Sequence, residues 1–141
     1  MSISPNAPTL TTLFGQMPVA SGVATRVATL SGLTDSNPSG NCRIIFVATL
    51  RTEAAVQQLM SIVQMSASQL GETLNAAATQ YATTQSGTDA GALSATFTVN
   101  TSVLGEVSLW ITLASSTLEG SCTLGMQLEG RNSYKSLIAF L

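Results

Sequence analysis

Residues 52–84, TEAAVQQLMSIVQMSASQLGETLNAAATQYATT, decide how the whole chain is read. Val56, Met60, Val63, Ala67, Leu70, Leu74, Ala77 and Tyr81 are separated alternately by four and three residues. That interval keeps side chains on one face of a 3.6-residue helix. Leu59 and Ile62 widen the stripe, while Gln57, Ser61, Gln64, Ser68, Glu72, Asn75 and Thr79 fall mostly opposite. Thr52 is placed to cap the start, Glu53 meets the positive end of the dipole, and Ser86-Gly87 supplies a stop. The spacing therefore predicts one long helix over 52–84. At 1.5 Å per residue it would run roughly 45–50 Å, longer than a domain of this size is wide. Gly71, costly in a helix interior, is where a bend is expected. Core packing is the plain role for the stripe. A seam against another subunit's helix is the alternative, although the flanking positions lack the Glu/Lys pairs of a coiled coil.

The flanking segments read as strands. Residues 22–33 set Val23, Thr25, Val27 and Thr29 against Ala24, Arg26, Ala28 and Leu30, with the β-branched content of a strand. Asp35-Ser36-Asn37-Pro38-Ser39-Gly40 is a turn signal. Within 42–50 the apolar run Ile44-Ile45-Phe46-Val47 predicts a central strand buried on both faces. Beyond a Gly/Ser/Thr loop at 83–91 the alternation is regular. Leu93, Ala95, Phe97 and Val99 share a face, as do Val103, Val107, Leu109, Ile111 and Leu113, and Cys122, Leu124, Met126 and Leu128. Residues 134–141 read as a last strand, with a short helix the alternative. The predicted order is β-β-α-β-β-β-β. This is an α+β fold, mainly an antiparallel sheet of about six strands with one long central helix packed on one face. The single α+β domain spans 21–141. Residues 1–20, with Pro5, Pro8 and Pro18, are expected to form an extended N-terminal arm.

At 141 residues the chain is long enough for a real core. Hydrophobic residues make up 45% and charged residues only 9%, against a usual charged share of about a quarter. Such a chain folds, and its surface is hydroxyl and amide rather than ionic. Low surface charge is tolerable where partners cover the surface. The predicted strands also lack the edge lysines and inward charges that keep sheets apart. The net charge is −2, and Arg26, Arg43, Arg51, Arg131 and Lys135 are scattered, which argues against nucleic-acid binding through a basic patch. There is no run of about 18 apolar residues to cross a membrane as a helix. Residues 1–8 lack the charged start and apolar core of a secretory signal. With Met1 as the native start, the expected location is the virion or the host cytoplasm.

Candidate chemistry is sparse. The chain has no His, the commonest general base and neutral metal ligand. Cys42 and Cys122 each open a predicted strand and read as buried free thiols, with a disulfide between them the alternative. Asp35, Asp89, Glu106, Glu119 and Glu129 fall in turns or on exposed strand faces. Residues 125–132 read G-x-x-x-x-G-R-N, which misses the Lys and Ser/Thr of a phosphate-binding loop. Asn100-Thr101-Ser102 matches a glycosylation acceptor but reads better as a hairpin turn. No catalytic residue, cofactor or metal is assigned.

These features point to a non-enzymatic, self-assembling structural protein, a subunit of a viral or phage particle such as a capsid or tube. Its expected partners are copies of itself, met through sheet edges, a helix seam or arm exchange. The candidate subunit contacts are Leu10, Leu13, Phe14, Trp110, Tyr134 and Phe140. The alternative is a small viral accessory or protein/ligand-interaction module, monomeric or dimeric, with a groove between helix and sheet. An enzyme ranks third and would need Cys42, Asp35 or Arg43 to converge in a pocket.

Overall fold

A computed structural model describes the backbone of residues 2–3, 11–36, 38–130 and 136–139, and the side chains of 18–36 and 38–127. The described residues are all β, with no helix among them. The strands are β1 (Ser2–Ile3), β2 (Thr11–Val19), β3 (Thr25–Ser31), β4 (Ser39–Arg51) and β5 (Val56–Leu70). They continue with β6 (Thr73–Gly87), β7 (Leu93–Asn100), β8 (Glu106–Ser115), β9 (Ser121–Gly130) and β10 (Ser136–Ala139). Two five-stranded antiparallel sheets result, ordered β1-β10-β3-β8-β7 and β2-β9-β4-β5-β6.

The long helix over 52–84 does not exist; the stretch is the β5–β6 hairpin. Along β5 burial alternates residue by residue. Gln57, Leu59, Ser61, Val63, Met65, Ala67 and Gln69 point inward, and Val56, Gln58, Met60, Gln64, Ser66, Ser68 and Leu70 point outward. The eight residues of the supposed stripe are thus split between two faces. Gly71, expected to bend a helix, instead opens a two-residue turn between the paired Leu70 and Thr73. Its φ is +60°, the backbone that glycine alone adopts freely in the first position of such a turn. The supposed cap is also real chemistry in another setting. Thr52 Oγ1 accepts from the amides of Ala54 (3.2 Å) and Ala55 (3.0 Å), closing the β4–β5 loop.

A second sheet takes the place assigned to the helix. Ile44, Phe46, Ala48 and Leu50 of β4 are sealed against Val107, Leu109, Ile111 and Leu113 of β8, within one continuous buried cluster. Fully burying an aliphatic or aromatic side chain is worth about 1.5–3 kcal/mol, so this double layer dominates the stability. Phe46 meets Phe97 of β7 across the layers. The β4 strand is central, as read from its apolar run, but only one face is sealed; Ile45 and Val47 are half-buried on the other.

Polar side chains at each end of β5 tie the two sheets together. Gln57 donates from Nε2 to Thr117 Oγ1 (3.0 Å) and accepts from Ser115 Oγ (2.7 Å). Gln69 accepts from the Gly105 amide (2.7 Å) and donates to the Leu33 carbonyl (3.5 Å). Both glutamines are buried, and a buried amide is tolerated when its bonds are made. Residues 11–19 of the expected arm form β2, paired with β9 from Thr11↔Gly130 to Val19↔Cys122.

Candidate functional site

The groups proposed for chemistry are held apart. Cys42 lies opposite Met65 and Gly130, whereas Cys122 lies opposite Leu50 and Val19. Cys122 is thus level with a β4 residue eight positions from Cys42, about 26 Å away at roughly 3.3 Å per residue. A disulfide between them is geometrically excluded, and both are buried free thiols. Burial pushes the Cys42 thiol up to about 12. Burial also raises Cys122, partly offset by a side-chain hydrogen bond from Ser21. Thiols held in that form are poor nucleophiles.

Asp35, Cys42 and Arg43 do not converge. Cys42 points into the core and Arg43, its neighbour in an extended strand, to the opposite face. Asp35 accepts from the Gly71 amide (2.9 Å), fastening the β3–β4 loop to the β5–β6 turn. Glu53, Glu72, Asp89, Glu106 and Glu119 are exposed. Asn100 Oδ1 accepts from the Ser102 amide (2.9 Å), the turn expected there.

Of the six candidate contact residues, Leu10, Tyr134 and Phe140 lie outside the described residues. Leu13 and Phe14 occupy β2 positions opposite Leu128 and Gln127, with side chains outside the described set. Trp110 lies on the outward side of β8, in register between Thr98 of β7 and Arg26 of β3. It is half-buried, and its Nε1 is shut from solvent without a hydrogen-bond partner among the described residues.

Two surfaces went unread because they belong to the hairpin. On the outer face of the second sheet, Ile45, Ile62 and Tyr81 stand in one row across β4, β5 and β6. Val47 and Met60 form the next row, Met60 being 41% exposed. Arg43, Gln58, Gln64, Thr49 and Thr123 border this patch. The second surface is the free side of β6, which ends its sheet and pairs only with β5 among the described residues. At one tip of the sandwich, Leu70 (80% exposed) on the β5–β6 turn and Val103 and Leu104 on the β7–β8 turn are also open.

The sandwich itself has known counterparts. It superposes on part of the tailspike protein of Acinetobacter baumannii phage AM24 with a TM-score of 0.52, covering 87% of this chain and 26% of that one at 12% identity. It superposes equally on part of the tailspike protein of Acinetobacter phage vB_ApiP_P1, at a TM-score of 0.52 and 17% identity, covering 90% of this chain and 22% of that one. At such identities the likeness is one of fold. The chain spans about a quarter of each tailspike's length. No protein-family model matches the chain. No curated protein matches it either.

Proposed function

We propose that this chain is a structural domain of a phage particle, without enzymatic activity, that works by associating with copies of itself. The fold carries the reading: nearly the whole chain shares its two-sheet architecture with a part of two phage tailspike proteins. The composition supports it, because a chain with only 9% charged residues suits a domain that is covered in use. So does the uncharged, single-sided pairing of β6. The burial of both thiols fits a scaffold role rather than a catalytic one.

A second reading, a small interaction module acting as monomer or dimer, draws on the tip where Leu70, Val103 and Leu104 are exposed together. Size-exclusion chromatography with light scattering tests the assembly reading. A discrete oligomer at micromolar concentration is expected, and a clean monomer would overturn the assembly reading.

A further inference from the structure

We propose that the free edge of β6 is the self-association surface, pairing antiparallel with β6 of a second copy about a two-fold axis near Ala77. This inference rests on the assembly reading and names the surface that reading needs.

The register decides which backbone groups are available. A two-residue turn closes on a hydrogen-bonded pair, here Leu70 and Thr73. The parity is fixed independently at both ends of β5. The Thr88 amide donates to the Val56 carbonyl (2.8 Å), so even-numbered β5 residues bond to β6. The Gln69 amide donates to Pro38 (2.7 Å), on the β4 side. In β6, therefore, Thr73, Asn75, Ala77, Thr79 and Tyr81 spend their N–H and C=O groups on β5. Leu74, Ala76, Ala78 and Gln80 direct theirs to the open flank. An exposed row of this kind is a template for another strand.

The occupant follows from charge and parity. From Thr73 to Thr88 the chain has no Asp, Glu, Lys or Arg, and from Thr73 to Gly105 it has only Asp89. A second copy brings the same neutral edge, so no charge is stranded and none repelled. A two-fold axis at Ala77 bonds Leu74 to Gln80 and Ala76 to Ala78 of the other copy, joining open positions only to open positions. The half-buried Leu74, Ala76 and Ala78 extend the core towards this flank and would be covered. Pairing stops at the bulge, where Ala82 and Thr83 together oppose Ser61. A flank of nine strand residues, about 30 Å long and about 20 Å deep, buries on the order of 1,200 Å² over both copies, the lower end for a specific interface. The other edge of this sheet, β2, carries Pro18. The β7 edge is shorter, at eight residues.

The test uses Ala77, exposed on the outer face and placed at the axis. Light scattering on the full chain would compare wild type, Ala77→Lys, Ala77→Glu and an equimolar mixture of the two variants. Each single variant sets like charges side by side across the axis. Association at least tenfold weaker than wild type is expected for each, and it should be restored in the mixture. Ala77→Cys should oxidise to a covalent dimer, while Ser66→Cys, on β5 opposite Ala77, should not. If wild type associates and the Ala77 variants associate equally well, this edge is overturned while the assembly reading stands. If wild type is a monomer, both fall.

Discussion

Phe46 of β4 and Phe97 of β7 face each other across the sandwich with ring centroids 4.9 Å apart and planes tilted by 42°. The contact joins the central strand of one sheet to an edge strand of the other. Phe46 is fully buried and Phe97 half-buried. Phe46→Ala is therefore expected to cost about 3–5 kcal/mol and Phe97→Ala less. A double-mutant cycle by denaturant unfolding should show coupling of about 0.5–1.5 kcal/mol between them. Additive losses would mean that the rings do not stabilise each other.

Gln69 holds the β7–β8 turn through the Gly105 amide. Gln69→Ala leaves that amide without its partner, and a loss of about 1–3 kcal/mol is expected. Hydrogen exchange should show faster opening at Gly105 than at the Ser115–Thr117 end, which Gln57 holds. Equal changes at both ends would contradict a local role.

Two β6 residues with left-handed backbone should respond in opposite directions. Ala82 has φ +55° at the bulge, a conformation that costs a non-glycine residue about 1 kcal/mol. Ala82→Gly is expected to stabilise by about 0.5–1 kcal/mol in thermal or denaturant unfolding. Gly87 has φ +101°, and a Cβ there would collide with the Val56 carbonyl. Gly87→Ala should destabilise by more than Ala82→Gly gains.

Much of the fold was legible because several strands obey their period. Leu93, Ala95, Phe97 and Val99, and likewise Val107, Leu109, Ile111 and Leu113, point where their alternation places them. The hairpin was illegible because its alternation is chemically inverted in places. Gln57, Ser61 and Gln69 face inward because hydrogen bonds satisfy them, and Val56, Met60, Ile62 and Leu70 face outward. Reading only hydrophobicity, the eye recovers a false interval of three and four, reinforced by residues with high helix propensity such as Ala, Leu, Met and Gln. The Gly71-Glu72 turn was the missed signal. On β3 a bulge between Arg26 and Ala28 breaks the simple two-face pattern, so Val27 to Leu30 are all buried. The unpaired β6 edge could not be read before β6 itself was seen as a strand.

Cys42 should impose a pH limit. Its thiol ionises near 9.0 ordinarily and near 12 in the folded protein. The folded value is the higher one, so its contribution is complete below pH 9. It is lost as pH rises from there towards 12, by about 1.4 kcal/mol per pH unit. Unfolding curves of wild type and Cys42→Ala should therefore converge in stability across that window. Parallel pH profiles would show that the thiol is not held neutral by burial.

The most direct measurement is amide hydrogen exchange across β6, resolved by residue, at protein concentrations well above and well below the association midpoint. In the dilute sample Asn75, Ala77 and Thr79 should be protected, while Ala76, Ala78 and Gln80 exchange fast. In the concentrated sample those three should become protected as well. Uniform protection of consecutive amides in dilute solution, or fast exchange of the even-numbered amides at both concentrations, would contradict an open β6 edge that pairs with a second copy.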